Sequence, residues 1–239
     1  MLNIIKAEFL KSKNGSTYKF TVIMPVLTIL ISCALYGGAK FAYNLWYIIL
    51  MPALISILAT QSIDREKRLD YKAWLLYPIS KVKLWLGKII FVAILLGISS
   101  IIFAALIFIV NIIYPDPIPS MNNIFAISIL YLTFVFQIPI CQFLCERINA
   151  IFALIVNLFL SNLGSVLVGS KYELFLYNYG VPAKLMVPII EVLPNGLKPE
   201  LNNPLLNANI FTNSILNILL FVLLSLITTL LFKKIGGER

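Results

Sequence analysis

The chain has no histidine, three cysteines and few charged residues, and each shortage argues against a class of function. Without histidine, it has neither an HExxH zinc site nor a histidine general base. Cys33, Cys141 and Cys145 include no CxxC pair, so we interpret them as buried thiols rather than metal ligands. Charged residues make up only 12% of the chain and hydrophobic residues 60%, which leaves too little polar surface for a soluble globule.

What the sequence does contain is six charge-free apolar stretches, each roughly 17 to 25 residues long. Bilayer hydrocarbon offers no water to a bare amide, so each stretch must satisfy its own backbone hydrogen bonds as a helix. We predict an all-α integral membrane protein with six transmembrane helices. The predicted spans are Phe20–Tyr36, Phe41–Thr60, Ile89–Ile113, Ile124–Leu144, Ile148–Val168 and Phe211–Phe232.

The basic residues between the spans predict the orientation. If the first span starts in the cytoplasm, residues 1–19, 61–88, 145–147 and 233–239 lie inside and carry 15 of the 19 Lys and Arg residues. We therefore predict a protein of the bacterial cell membrane, and the positive-inside rule places both of its termini on the cytoplasmic side. We assign the net charge of +9 to topology and contact with anionic lipid headgroups, not to nucleic-acid binding.

Two further absences concern the source of energy. There is no GxxxxGK[ST] loop, so the chain cannot cradle ATP by itself. No Asp or Glu lies within a predicted span, which argues against ion-coupled transport. We predict that the chain is not an enzyme and binds no cofactor or metal, so that any pumping draws its energy from a partner.

The chain divides into an N-terminal helix and one membrane domain. Residues 1–19 place Leu2, Ile5 and Phe9 on one stripe, which predicts an interfacial helix on the inner leaflet. Gly15 and Ser16, with Asn14, should end this helix. Residues 20–239 then form a single six-helix transmembrane domain.

Two connections are long enough to carry function. The cytoplasmic loop 61–88 mixes charges with Trp and Leu, which predicts short amphipathic helices docked under the membrane and split at Tyr77-Pro78. The alternative is a solvated connector. In the extracellular loop 169–210, five prolines should divide the chain, and Lys184–Leu193 should form a re-entrant or surface-lying helix.

Polar and small residues inside the spans have two interpretations. The amides either hydrogen-bond between helices or line a polar translocation path, and we favour the first. Pro25, Pro52 and Pro139 should kink their spans. Gly164 should allow close helix contact. The span amides are Asn44, Asn111, Gln137, Asn157, Asn162, Asn213 and Asn217.

Several short motifs in the sequence resemble those of a known family. Asp64-Arg65-Glu66-Lys67, Tyr77-Pro78-Ile79-Ser80-Lys81 and Gly87-Lys88, set in this order of spans, resemble the ABC-2 type permease family. The segment Ala7-Glu8-Phe9-Leu10-Lys11 and Pro194-Asn195-Gly196 are most similar to permease subunits of lantibiotic self-protection transporters, the MutE/EpiE group.

That resemblance implies a complex of two permeases, identical or homologous, with two copies of a cytoplasmic ATPase that binds ATP and Mg. It implies export of a cationic antimicrobial peptide from the producer's own membrane. The residues that would couple to the ATPase are Glu66, Leu69, Trp74, Pro78, Ser80 and Lys81, with Glu146 and Arg147 as a smaller second contact. Substrate recognition would fall to Glu173, Glu191, Pro194, Asn195, Gly196 and Glu200.

Two alternatives stay open at the sequence level. One is an ATP-independent immunity or scaffold protein that sequesters peptide. The other is an ABC-2 permease for a different lipophilic drug or lipid. Replacing Glu66 with Ala separates the first alternative from a pump, since a scaffold should tolerate the change.

Overall fold

The computed structural model describes residues 1–13, 15–68, 80–114 and 116–235, with side chains as far as Phe232. Every regular element among these residues is helical. The α-helices are α1 Leu2–Ser12, α2 Thr17–Ala34, α3 Gly38–Leu45, α4 Met51–Arg68, α5 Lys81–Ile113, α6 Ser120–Phe134, α7 Gln137–Arg147, α8 Ala150–Leu167, α9 Tyr177–Ile190 and α10 Ile210–Ile235. A π-helical turn, Trp46–Leu50, joins α3 to α4, and 3-10 turns lie at Glu173–Leu176 and Pro204–Asn207.

Six helical stretches in the described part of the chain are long and apolar enough to cross a membrane. They are Thr17–Ala34, Gly38–Arg68, Lys81–Ile113, Ser120–Arg147, Ala150–Leu167 and Ile210–Phe232. Each coincides with one predicted span, so the predicted all-α, six-span architecture is confirmed. The N-terminal helix is separate from the first span, as Gly15 and Ser16 indicated.

Both ends of the predicted loop 61–88 belong to the helices of the flanking spans rather than to a loop. Gln61–Arg68 continues α4, and Lys81–Lys88 forms the first turns of α5. Helix formation beyond Thr60 is supported by the pair between Arg68 and Asp64, 2.7 Å apart at i,i+4 spacing, and by the basic residues of the last turn. The predicted split at Tyr77-Pro78 lies outside the described residues.

Proline interrupts two spans in different ways. In the fourth span, α6 ends at Phe134 and α7 begins at Gln137. Pro139 has no N–H, and its ring would clash with the carbonyl of Val135, four residues earlier, which explains the break. In the second span, the residue four before Pro52 is Ile48, inside the π-helical turn. Pro25 leaves α2 unbroken from Thr17 to Ala34.

The core lies where the second span crosses the third. Trp46 stacks on Phe103 with ring centroids 4.7 Å apart, and Tyr43 meets the same ring edge-on at 5.1 Å. All three side chains are buried. Aromatic pairs in these geometries stabilise a core beyond the area they bury, so this cluster fixes the two spans against each other.

Helix α9 corrects the prediction for the extracellular loop. It begins at Tyr177 rather than Lys184, and Pro182 and Pro188 lie inside it instead of dividing it. Its 14 residues reach about 21 Å, which is too short to cross about 30 Å of hydrocarbon. Most of its apolar side chains are buried in the bundle, so it does not lie on the protein surface.

Gly164 allows α9 to approach α8, as the sequence predicted. A Cβ atom at Gly164 would lie 2.7 Å from Tyr179 Cβ and 2.9 Å from the Gly180 backbone nitrogen. Real Cβ atoms do not approach backbone this closely, so the two helices meet at this distance only because position 164 has no side chain.

Candidate functional site

Four charged side chains meet at the end of the bundle that carries α1; we refer to it as the α1 end. Lys88 Nζ lies 2.9 Å from Glu8 Oε2 and 3.4 Å from Glu66 Oε1. Lys11 Nζ lies 2.6 Å from Glu66 Oε1 and 3.2 Å from Glu8 Oε1. Glu8, Lys11, Glu66 and Lys88, the ion-pair cluster, join α1 to the end of α4 and the start of α5.

Burial makes this cluster energetically different from a surface salt bridge. The Lys88 side chain is 1% exposed and the two carboxylates are 3% exposed. Taking such charges out of water costs several kcal/mol per ion, which close partners must offset. The two acids and two bases cancel, and Lys88 Nζ also donates to the Ser62 carbonyl at 2.8 Å.

Lys11 is the most exposed member, and its protonation follows from its partners. Burial acts to lower the pKa of Lys11, but the hydrogen bond that Lys11 donates to Glu66 and the attraction of both carboxylates outweigh burial and raise this pKa above its ordinary value. Lys11 is therefore a cation at neutral pH.

Further hydrogen bonds extend the contact along α4. Arg65 Nη1 donates to Ser12 Oγ at 3.1 Å. Gln61 Nε2 donates to Ser16 Oγ at 3.0 Å, and Gln61 Oε1 accepts from Thr17 Oγ1 at 2.8 Å. The turn between α1 and α2 is thus fixed to the last two turns of α4.

The sequence of α1 explains how it reaches this position. Glu8 and Ser12, four residues apart, are buried on one face. Of the predicted apolar stripe, Phe9 packs edge-on against Phe91 at 4.9 Å, whereas Leu2 is exposed. A Cβ at Gly87 would lie 2.6 Å from Ile4 Cγ2, so Gly87 gives α1 close access to α5. The interfacial position of α1 stays a prediction.

A second junction links α4 to the end of α7. Lys67 Nζ donates to the carbonyls of Glu146 at 2.9 Å, Cys145 at 3.2 Å and Ile148 at 3.3 Å. A cation over the last carbonyls of a helix satisfies groups that have no helical partner and complements the helix dipole. Glu146 is buried here, and Arg147 is exposed with its guanidinium 5.5 Å from the centre of the Phe143 ring.

The predicted coupling residues fall into three groups. Glu66 is buried in the ion-pair cluster, so its carboxylate faces α1 and α5. Ser80 is exposed and Lys81 begins α5. Leu69, Trp74 and Pro78 lie outside the described residues. A coupling role for any of them stays a prediction, and for Glu66 that role can only pass through the helices it holds together.

Sequence reasoning missed that Glu8, Lys11 and Lys88 form a cluster with Glu66. One signal was available: Lys88 directly precedes a long apolar span, where a lysine needs a nearby acid. The sequence does not say which acid, because Glu8 is 80 positions away in the chain.

In the middle of the bundle, the amides bond between helices. Asn157 Nδ2 donates to the Pro52 carbonyl at 3.2 Å, to Ser56 Oγ at 3.0 Å and to Gln137 Oε1 at 3.0 Å. Gln137 Nε2 continues to Ser161 Oγ at 3.1 Å. These bonds tie α4, α7 and α8 together, as the first interpretation expects for Asn157 and Gln137. Asn162 and Asn217 instead donate to the carbonyls of Leu158 and Asn213 within their own helices.

The opposite end of the bundle, the far end, consists of residues 116–119 and 169–209. The three acids of its long loop have different surroundings. Glu173 accepts from the Gly169 backbone N–H at 2.9 Å and pairs with Lys184 at 2.7 Å. Glu191 is exposed at the end of α9, in a left-handed conformation with φ 55°, and Glu200 is exposed.

A tight turn carries the other predicted recognition residues, Pro194, Asn195 and Gly196. The Gly196 backbone N–H donates to the Leu193 carbonyl at 2.8 Å, and Gly196 has φ 83°, which suits glycine. Asn44 Nδ2 donates to the carbonyls of Leu193 and Pro194, both at 3.2 Å. The second span therefore holds this turn in place.

Beside this turn lies a cleft of about 530 Å³ between α8 and the far-end loop. Ile48 of the π-helical turn, Val168 at the end of α8, and Leu205 contribute apolar walls. Asn195 and Pro194 line it as well. The structure thus brings two of the six predicted recognition residues to a cleft, while Glu173, Glu191, Gly196 and Glu200 do not line it.

Comparison with known proteins assigns the family. Residues 4–175, well over half of the chain, match the profile of the ABC-2 family transporter protein. No curated protein and no solved structure matches the chain significantly. The matched region contains the whole ion-pair cluster and the first five spans. Members of this family are membrane components of ABC transporters and work with an ATPase. The chain belongs to the ABC-2 transporter family and is a multi-pass membrane permease subunit.

Proposed function

We propose that the chain is the permease subunit of an ATP-driven exporter in the bacterial cytoplasmic membrane, with both termini in the cytoplasm. Two copies of a separate ATPase would bind ATP and Mg, and a second permease, identical or homologous, would complete the complex. One observation carries this proposal beyond the family. The ion-pair cluster joins α1 to both helices that flank residues 69–79, the segment expected to meet the ATPase.

The cluster suggests how ATPase motion reaches the spans. The segment that follows Glu66, as far as Ser80, would sit in a groove of the ATPase, and closure of the ATPase dimer would push on it. Because Glu66 on α4 pairs with Lys11 of α1, Lys88 on α5 pairs with Glu8 of α1, and Glu66 and Lys88 also pair with each other, the ends of these helices would move as one unit. A push at this point becomes a rocking of the second and third spans rather than a local bend.

Glu146 and Arg147 would form the second, smaller contact with the ATPase. Lys67, on the same helix as Glu66, caps the helix that ends in Arg147. The fourth span would therefore receive the same displacement as the second.

For the substrate, we propose a lantibiotic or related cationic antimicrobial peptide, expelled for producer self-protection. The sequence resemblance supports this specificity, and so do the exposed acids Glu191 and Glu200 at the far end. Glu173 contributes less, since Lys184 already neutralises it. The turn Pro194-Asn195-Gly196 would present the recognition surface.

A different lipophilic drug or a lipid is the second candidate substrate. The observation that favours it is the cleft beside the turn, because no charged side chain among the described residues lines it. A cationic peptide would gain nothing there from charge attraction.

The test is co-purification of the tagged chain from its native membrane in mild detergent, with ATPase activity assayed with and without cationic peptide. We expect an ATPase to co-purify and its recovery to fall in the Glu66→Ala and Ser80→Ala variants. Asp116→Ala, an exposed acid at the far end, is the matched control and should retain the ATPase. Recovery of the chain alone, still protecting cells against peptide, would contradict the pump and support sequestration. Elution as a single folded species is required of every variant.

A further inference from the structure

The far-end cleft has the size of a small-molecule site. Its volume of about 530 Å³ lies within the range of roughly 300 to 1,000 Å³ that such sites occupy. It forms where α8 ends at Leu167 and the chain returns through Leu193 and Leu205. A π-helical turn contributes Ile48 to its wall, and such turns occur frequently at functional sites.

The polar groups of the cleft are all uncharged. Asn162, Asn195 and Asn203 line it together with the apolar walls, and no charged residue among the described ones does so. The Glu173 carboxylate, next to the cleft through its bond to Gly169, is neutralised by Lys184 at 2.7 Å. A charged ligand would lose its hydration in this cleft without finding a counter-charge, which is costly.

The three asparagines retain capacity for a ligand. Asn195 Oδ1 accepts from the Leu197 N–H, and Asn203 Oδ1 accepts from the Leu205 N–H, both at 3.0 Å. Their Nδ2 groups have no protein partner within the described parts of the chain. Asn162 uses its Nδ2 group on the Leu158 carbonyl at 2.8 Å, which leaves its Oδ1 as an acceptor. Two donors and one acceptor suit a hydroxyl or ester group.

The cleft also borders the surface that lipid would cover. Val166, one of its lining residues, is 76% exposed, and the neighbouring outward face of α8 carries Phe159 and Ile155, which are exposed as well. An amphiphile in the bilayer could therefore reach the cleft laterally, without first crossing water.

We propose that the far-end cleft binds a neutral lipid-like amphiphile, with its chain against Ile48, Val168 and Leu205 and its hydroxyl or ester group on the asparagines. This site deepens the proposed permease function and rests on it only for the step from binding to transport. Binding itself requires no ATPase.

The test is photo-crosslinking of the purified chain in lipid nanodiscs without ATPase, with a monoacylglycerol carrying a diazirine in its acyl chain. Mass spectrometry should find crosslinks on peptides containing Ile48, Val168 or Leu205, and excess unlabelled monoacylglycerol should compete them away. Leu205→Trp fills the cleft and should lower this labelling about tenfold, a loss of about 1.4 kcal/mol in binding. Leu201→Trp, at a 97% exposed position of the same loop, should leave it unchanged.

Two further experiments test whether the cleft prefers a neutral ligand and whether Asn203 binds the polar group of that ligand. A diazirine fatty acid and a diazirine long-chain amine should label the cleft less than the neutral probe, and Asn203→Ala should weaken only the neutral probe's labelling. The proposal is overturned if the probe labels residues in proportion to their exposed apolar surface or if Leu205→Trp does not lower labelling of the cleft. It is also overturned if the neutral, fatty-acid and amine probes label the cleft equally. Failure of an ATPase to co-purify would reject the proposed function and leave this binding result standing.

Discussion

The two ends of the bundle are held together by different chemistry. At the α1 end, three buried charged side chains and the more exposed Lys11 form ion pairs, and Lys88 and both glutamates are almost wholly excluded from solvent. At the far end, neutral hydrogen bonds dominate: Asn44 holds the turn at Leu193, and Asn122 Nδ2 donates to the Ile189 carbonyl at 2.8 Å. Of the two far-end ion pairs, the one between Lys40 and Asp116 is exposed and the one between Lys184 and Glu173 is half-buried.

The difference determines how each end responds to a change. Loss of one partner in a buried ion pair leaves an uncompensated charge, whereas loss of a neutral hydrogen bond costs little more than the bond. The contacts at the α1 end should therefore form or break together, which suits a part of the protein that transmits force. The far end can change one contact at a time, which suits a part that adapts to substrate.

The largest effect should follow removal of the charge at Lys88. Lys88→Met leaves Glu8 and Glu66 with Lys11 as the only remaining member of the cluster to balance them, and we expect a loss of about 3 to 5 kcal/mol in the free energy of unfolding. The measurement is SDS-induced unfolding in mixed micelles, followed by circular dichroism. Lys83→Met, on an exposed position of the same helix, is the control and should change little. Equal effects from both variants would mean that the cluster is not what holds the α1 end.

The second effect concerns packing at the far end, where no charge is involved. Gly164→Ala places a methyl group within 2.7 to 2.9 Å of Tyr179 and Gly180, two of these contacts being with backbone atoms that cannot rotate away. We expect a loss of about 1 to 3 kcal/mol, typical of an overpacked core. Gly97→Ala is the control: its Cβ would meet Tyr131 at 3.6 Å, an ordinary contact. The same unfolding assay checks both, and an unaffected Gly164→Ala would show that α8 and α9 are not tightly packed.

The same contrast explains what the sequence could and could not predict. All six spans were predictable because each depends only on local composition and length, and the Pro139 break follows from one residue's covalent geometry. The ion-pair cluster was not predictable from local sequence, since its members come from three separate helices. The resemblance to ABC-2 permeases singled out Glu66 and implied a contact with the ATPase, whereas the structure buries this side chain.

Helix α9 shows a second limit of local reasoning. Five prolines in a loop ordinarily signal breaks, yet Pro182 and Pro188 lie within one helix. The helix persists because it is packed: Gly164 on α8 allows close approach, and the buried face of α9 supplies stabilisation that propensity alone lacks. Of the residues that line the cleft, only Pro194 and Asn195 were predicted from sequence as recognition residues.

A smaller effect should follow loss of the Asn44 side chain. Asn44→Ala removes the hydrogen bonds to the Leu193 and Pro194 carbonyls and the one to the Tyr47 hydroxyl, and we expect a loss of about 1 to 2 kcal/mol. Because these bonds hold the turn beside the cleft, hydrogen exchange at Leu193 and Gly196 should also rise. Asn3→Ala, at an exposed position on α1, should do neither. Faster exchange at the α1 end as well would mean that the two ends are coupled.

The smallest effect is expected at an exposed ion pair, and its comparison with Lys88→Met shows how burial changes the energy of an ion pair. Asp116 pairs with Lys40 at 2.9 Å, but the aspartate side chain is 75% exposed, so Asp116→Asn should cost under about 1 kcal/mol. Raising salt from about 0.01 to about 1 M shortens the screening length from roughly 30 to 3 Å and should erase this difference. The cost of Lys88→Met should persist at high salt, because solvent ions do not reach a buried cluster. If salt erased both effects, the cluster would be hydrated, and the α1 end would be held by the same weak contacts as the far end.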